Sequence, residues 1–223
     1  MAAATTGPNV PVLSMGEILI DFIVADDATS LESAEAFLAR PGGAPANAAV
    51  ALARLGVPSA FCGVAGNDPF GVRLRQALSG ECVDATHLRV THRAATTLAY
   101  AWQDARGDGH FWLLRGADGL LTPEDTERAV TPAVAALIVG SVALAAEPSR
   151  DAIAVAVARA RQLRIPVVFD VNLRPTLWTD LAVAHRLCAE IARQSHVVKL
   201  SLDDAIGLFG PRTTPETAIA QTL

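Results

Sequence analysis

Lysine is nearly absent. Of eighteen basic residues in a chain of 223, one is a lysine, Lys199, and it stands in Val-Val-Lys-Leu-Ser. A phosphate-binding loop of the Gly-x-x-x-x-Gly-Lys-Ser/Thr kind is therefore excluded. The first apolar run carries only Gly16-Glu17, not the Gly-x-Gly-x-x-Gly of a dinucleotide fold. No Gly-x-Ser-x-Gly pentapeptide occurs, so a hydrolase nucleophile elbow is excluded as well. Three cysteines, Cys62, Cys82 and Cys188, are widely spaced and form no C-x-x-C pair. That odd count and spacing argue against both a disulfide framework and a zinc site. No basic stripe interrupts a net charge of −5, which argues against nucleic acid as a partner. No apolar run reaches the length of a membrane span, and Met-Ala-Ala-Ala-Thr-Thr-Gly-Pro-Asn is not a secretory leader. A cytoplasmic protein without a membrane partner is expected.

What is present points to a layered globular fold. Apolar residues make up 51% and charged residues 18%, enough to bury a substantial core. Residues 1–9 are expected to be a disordered N-terminus, with one α/β domain over 10–223. Val10 to Val24 reads as strand broken at Gly16-Glu17, residues 46–55 as a helix closing on Gly56, 60–64 as a strand and 70–78 as a helix. Residues 96–103 and 110–114 read as a hairpin across the polar turn 104–109. The alternation then resumes with strands at 136–139, 166–170 and 196–200 and a helix over 181–192. Ser149 is expected to cap a further helix whose Ile153, Ala156, Val157, Ala160 and Leu163 share one face. Apolar strands alternating with helices imply a mostly parallel sheet covered on both faces. The early strands and the hairpin, about 10–40 and 91–115, are expected to form a small β lid.

In open parallel sheets ligands sit beyond the carboxyl ends of the strands. Asp21, Asp170, Asn172, Arg174, Lys199, Ser201 and Asp204 all fall at or after such ends. Each alone is ordinary turn or cap chemistry; together they form a candidate site. The richest block runs from Gly42 to Gly71. Gly42 and Gly43 lack a Cβ, so their backbone can approach a ligand closely, and Asn47 offers an amide that both donates to and accepts from a hydroxyl.

That block resembles the first signature of the ribokinase-like (PfkB-type) sugar kinases. So do Gly-Glu-Ile-Leu-Ile-Asp at 16–21, Ala-Asp at 117–118, Gly140-Ser141, Glu147-Pro148, Asp-Val-Asn-Leu-Arg-Pro-Thr-Leu-Trp at 170–178 and Val-Lys-Leu-Ser at 198–201. The resemblance covers roughly residues 10–210 and is nearest the fructokinase branch. It implies a three-layer ribokinase-like sandwich with a mostly parallel central sheet, a small β lid, and the C-terminal part of the fold lying outside this chain. It also implies an ATP- and Mg2+-dependent carbohydrate kinase acting on a monosaccharide. Fructose is the first expectation, a 2-keto-3-deoxy sugar acid the next and a nucleoside the third.

By that resemblance Asp21, Gly42, Gly43 and Asn47 bind sugar hydroxyls. Asn172 and Arg174 lie near the sugar or the transferring phosphoryl group, and Arg115 or Arg174 could pair a sugar-acid carboxylate. Lys199, Ser201 and Asp204 are expected on the nucleotide side. Ser201 and Asp204 replace the family's commoner Asn and Glu, and Asp204 would reach magnesium through water. The family's Gly-Ala-Gly-Asp turn supplies the base that deprotonates the attacking hydroxyl and an anion hole for the phosphoryl group. It does not occur here, the base is expected beyond Leu223, and no catalytic residue is assigned. Gly116-Ala-Asp-Gly119 imitates it but runs into Leu-Leu-Thr-Pro. The chain alone is thus expected to be inactive. The alternative reading is a short, non-catalytic sugar-binding or interaction protein. A homodimer through the lid is a further expectation, since a small sheet with open edges seeks cover.

Overall fold

The computed structural model describes residues 10–222; the segment 1–9, expected to be disordered, lies outside the described residues. Six parallel strands build the main sheet: β1 (Val12–Met15), then, after β2 (Leu19–Val24) and β3 (Phe37–Gly42), β4 (Ser59–Gly66) and β5 (Asp84–Thr91). β6 (Leu98–Gln103) and β7 (Gly109–Leu114) intervene before β8 (Ala136–Gly140), β9 (Val167–Asp170) and β10 (Val197–Lys199) complete it. Its spatial order is β10-β9-β8-β1-β4-β5, and every pairing in it is parallel. The chain leaves β1 toward β4 on one side and returns to β8 on the other. The topological switch point therefore lies between β1 and β8.

Among the described residues five α-helices lie between strands, α1 (Ala44–Arg54), α2 (Pro69–Gly80), α3 (Pro123–Ala129), α4 (Ser149–Gln162) and α5 (Leu181–Ala192), and two follow β10, α6 (Leu202–Phe209) and α7 (Pro215–Thr222). β4 shows why the layers form. All eight of its residues are buried, and its side chains alternate between two cores. Phe61 and Ala65 face Ala46, Ala49, Leu74 and Leu78 of α1 and α2. Cys62 and Val64 face the cluster that holds Ala129, Ile153, Ala156 and Cys188 of α3, α4 and α5. Helix starts follow local chemistry. Asp68 accepts Gly71 N–H at 2.8 Å ahead of α2, and Asp180 accepts Ala182 N–H at 2.8 Å ahead of α5. Thr122 and Asp125 form a reciprocal capping box on α3. Ser149 does not cap α4 as expected. It is the helix's first residue, and its hydroxyl points back to Ala143 O at 2.7 Å.

The second sheet has four strands in the order β3-β2-β6-β7. β2 runs antiparallel to β3 and parallel to β6, and β6 antiparallel to β7. The strand expected over 10–24 divides at Gly16-Glu17, so β1 belongs to the main sheet and only β2 joins the small one. β5 likewise joins the main sheet, which leaves 19–42 and 98–114 as the limits of the small sheet. Ile18 and Ile20 turn into the core with α1 and α2, so Leu19 and Asp21 face the opposite way. Among the described residues no helix is long and apolar enough to cross a membrane.

Candidate active site

The outward face of β2 and the carboxyl ends of the main strands enclose a cavity of about 490 Å3. It sits at the switch point: Glu17 follows β1, Val142 follows β8, Asp170 ends β9 and Lys199 ends β10. Asp21 and Leu19 enter from β2, Phe111 and Leu113 from β7, and Gly43, Ala44, Asn47, Ala48 and Ala51 from the start of α1. Its size falls within the roughly 300–1,000 Å3 of small-molecule sites.

Of the residues expected to form a site, this cavity brings together Asp21, Gly43, Asn47, Asn172, Arg174 and Lys199. Gly42 acts one step back. A Cβ built there would overlap Asp21 Oδ2, so its bareness is what lets the carboxylate occupy its place. Gly43 has φ +105°, and a Cβ on it would overlap the carbonyl oxygen of Glu17. That close passage of backbone past backbone admits only glycine. Asn47 opens the second turn of α1, with its own N–H tied to Gly43 O at 2.8 Å.

The electrostatics are specific. Burial pushes the Asp21 carboxyl up to about 6, while the Arg174 guanidinium pulls it down. Arg174 is placed by a bond to Leu173 O at 3.0 Å and lies 5.4 Å from the centre of the Phe111 ring. Asn172 takes the left-handed backbone, φ +40°, which Asn tolerates better than most residues. Lys199 pairs with Asp170 at 2.8 Å and is otherwise largely exposed.

Three expected residues stand elsewhere. Arg115 is neither solvated nor in the cavity. Its Nε pairs with Asp118 at 3.1 Å and its terminal nitrogen donates to Ser149 Oγ at 3.0 Å. Asp118, in the imitation Gly-Ala-Asp-Gly, is buried and receives the Thr97 hydroxyl as well. Ser201 and Asp204 form a capping box on α6. Asp204 is 6% exposed; its Oδ1 accepts Leu173 N–H at 2.7 Å and its Oδ2 accepts Ser201 N–H and Oγ, both at 2.8 Å. Both oxygens are thus committed to the protein. Among the described residues no group of three or more His, Cys, Asp or Glu is placed to hold a metal ion. Direct coordination of a magnesium ion by Asp204 does not fit this arrangement.

Glu17 was not singled out from the sequence. It is 3% exposed on the cavity wall, its Oε1 accepts Ala44 N–H at 3.0 Å, and burial pushes its carboxyl up to about 7. The one available signal was an acid set between two apolar strand runs with no solvent face to occupy.

Residues 11–223 match the family described as pfkB family carbohydrate kinase. Fructokinase-1 of Zea mays is 38% identical over 192 residues, covering 85% of this chain and 59% of the maize protein. Among solved structures, Halothermothrix orenii fructokinase superposes with a TM-score of 0.84 at 31% identity, covering 95% of this chain and 74% of its own. Xylella fastidiosa fructokinase with bound ATP superposes with a TM-score of 0.80 at 29% identity, covering 96% of this chain and 65% of its own. The chain spans 68% of the length of probable fructokinase-4 of Arabidopsis thaliana and 56% of that of the fructokinase of Solanum tuberosum.

Proposed function

Because the chain belongs to the pfkB family of carbohydrate kinases, we propose that its cavity binds a monosaccharide, fructose first, as the acceptor of a phosphoryl group from ATP. The observation that carries this reading is the convergence of Asp21, Asn47, Asn172 and Arg174 on one cavity at the strand ends. A sugar offers hydroxyls that both give and take hydrogen bonds. An ionised Asp21 accepts from one, the Asn47 and Asn172 amides pair with others, and Arg174, held against Phe111, fixes the ring's edge. Fructose is preferred over a 2-keto-3-deoxy sugar acid because fructokinases recur among the relatives.

ATP as donor is supported by the ATP-bound fructokinase among the structural neighbours. Lys199, at the exposed rim, and Arg174 are the cations on the cavity wall able to meet the phosphates' charge. Phosphoryl transfer needs the acceptor hydroxyl held in line and water kept away. Leu19, Leu113 and Phe111 of the small sheet supply an apolar roof for that purpose. Asp204 offers magnesium no direct ligand, and no step here is routed through the ion. We assign no residue of this chain to removal of the hydroxyl proton.

Calorimetry of fructose on the 223-residue chain tests the sugar site, and sugar-dependent ADP release from ATP tests the transfer. Fructose binding that Asp21→Asn weakens at least tenfold supports the reading. Tighter binding of another sugar moves the acceptor, and no binding across a sugar panel overturns it.

A further inference from the structure

The sugar cavity lies at the carboxyl ends of the main strands. A second cavity, of about 300 Å3, lies at the amino ends of β9 and β10 and is lined by Arg161, Arg164, Arg193, Gln194, Ser195 and His196. Three segments of chain meet there. Arg161 stands in the last turn of α4, Arg164 in the turn that leads into β9, and Arg193 at the carboxyl cap of α5, just ahead of β10. His196 ties the two strand starts together: its backbone N–H donates to Val167 O at 2.8 Å, and its Nδ1 accepts Val167 N–H at 3.1 Å. The neutral ring therefore carries its proton on Nε2, as a donor. Gln194 Nε2 and Ser195 Oγ are committed to the carbonyls of Glu190 and Ile191.

The charge here is unbalanced. Elsewhere arginines are tied to acids: Arg89 and Arg128 to Asp125, Arg115 to Asp118 and Arg150 to Glu147. Arg161, Arg164 and Arg193 have no ion pair and no side-chain hydrogen bond among the described residues, and no acid lines their cavity. Glu190, one turn back on α5, faces Arg186 at 3.9 Å. Arginines at helix ends ordinarily meet the negative pole of the helix. The poles of α4 and α5 together offset roughly one unit of charge, so of three guanidinium charges about two are left over. All three arginines are exposed, so a ligand reaches them without any change in fold.

Guanidinium forks take phosphate or carboxylate oxygens two at a time. We propose that this cavity is a second binding site, for a small anion that carries two or more phosphate or carboxylate groups. The surplus charge selects against a monovalent ion, and the volume suits an anion of the size of pyrophosphate or citrate. Arg161, Arg164 and Arg193 hold its charged groups from three separate segments, with His196 Nε2 as a neutral donor beside them. Binding makes and breaks no covalent bond, and the site does not depend on the sugar-kinase reading.

Calorimetry of pyrophosphate and of citrate, each without metal ion, on the 223-residue chain tests it. One equivalent of at least one of them is expected to bind. Arg164→Gln, and Arg161→Gln combined with Arg193→Gln, should each weaken that binding about tenfold or more. Arg40→Gln, an exposed arginine on the small sheet, and Lys199→Gln, on the sugar cavity, should leave it unchanged. Binding of pyrophosphate alone identifies phosphates as the ligand's groups, and binding of citrate alone identifies carboxylates; either supports the site. An equal loss in Arg40→Gln reveals a response to net charge only, and a loss confined to Lys199→Gln puts the anion in the sugar cavity. Each of these overturns the proposal, as does the absence of saturable binding. His196 gives a reading that needs no variant: its ring NMR signals should shift with the calorimetric midpoint, and unmoved signals overturn the site. Fructose is titrated beside the anions. A chain that binds anion and no sugar loses only the sugar reading, and the reverse loses only this proposal.

Discussion

Gly42 and Asp21 form a fitted pair across β3 and β2: a side chain on the first would occupy the space of the second's carboxylate. Asp21 can turn aside on its own rotamers, so the fold should survive Gly42→Ala while the sugar contact does not. The expected result is a loss of fructose affinity of about a hundredfold with a near-wild-type melting temperature. Calorimetry and thermal melting on the same sample check it. Unchanged affinity would free Asp21 from the role given to it.

The same carboxyl sets a pH dependence. Asp21 sits at about 6 through burial, opposed by Arg174. The ionised carboxylate accepts a hydroxyl's hydrogen bond about twice as strongly as the neutral acid, so fructose affinity should be full above pH 7 and decline as pH falls through 6. Arg174→Gln removes the opposing charge, raises Asp21 further, and moves the fall to higher pH. Glu17, at about 7, lines the same cavity, so Asp21→Asn is titrated beside Glu17→Gln to tell the two carboxyls apart. An unmoved midpoint in Arg174→Gln would contradict the assignment.

Glu17 also has a signature in stability. Its folded value stands near 7 against an ordinary 4.5, so the folded chain holds the proton more tightly than the unfolded one. The stability this gives is complete below pH 4.5 and lost as pH rises through 7. Glu17→Gln, which never ionises, should match wild type at pH 4 and exceed it by about 3 kcal/mol at pH 8. Urea unfolding at the two pH values reads the difference. A gap of equal size at both would sink the argument.

Asp204 is expected to matter to folding before anything else. Asp204→Ala removes the α6 capping box and strands a buried Leu173 N–H, a loss of about 2–4 kcal/mol. Chemical denaturation measures it. Wild-type stability combined with weakened magnesium or ATP binding would return Asp204 to the nucleotide side.

The homodimer is a proposal about the small sheet. β3 and β7 are its outer strands, and Phe37, Leu38, Trp112 and Leu114 on them are exposed. A second copy would cover both edges and apolar side chains. Sedimentation should show a dimer at micromolar concentration and a monomer for Trp112→Glu. A monomer in wild type at high micromolar concentration contradicts it.

Much of this was legible because local rules and tertiary context agree. α5 occupies 181–192 as read, and the strand ends that carry Asp170, Asn172 and Lys199 do meet at one cavity. β3 and β5 were not read as strands. Each lies at the edge of its sheet, where one side meets solvent and Arg40, Pro41, Asp84, Thr86 and His87 are tolerated. Alternation is absent from β3 and, in β5, confined to Leu88-Arg89-Val90-Thr91. Ser201-x-x-Asp204 was a capping box in plain sight, yet its strand-end position suggested nucleotide chemistry. Which use a carboxylate makes of its lone pairs depends on Leu173 N–H, 31 residues away in the chain. The fate of Arg115 was decided in the same way by Asp118 and Ser149.

The cavity's two kinds of wall belong to two bodies of structure. Asp21, Phe111 and Leu113 ride on the small sheet, while Asn47, Asp170, Asn172 and Lys199 ride on the layered body. A molecule that grips Asp21 and Asn172 together becomes a rivet between them. Its grip should be felt beyond the point of contact, as slowed amide hydrogen exchange along β6 and β7, of whose residues only Phe111 and Leu113 line the cavity.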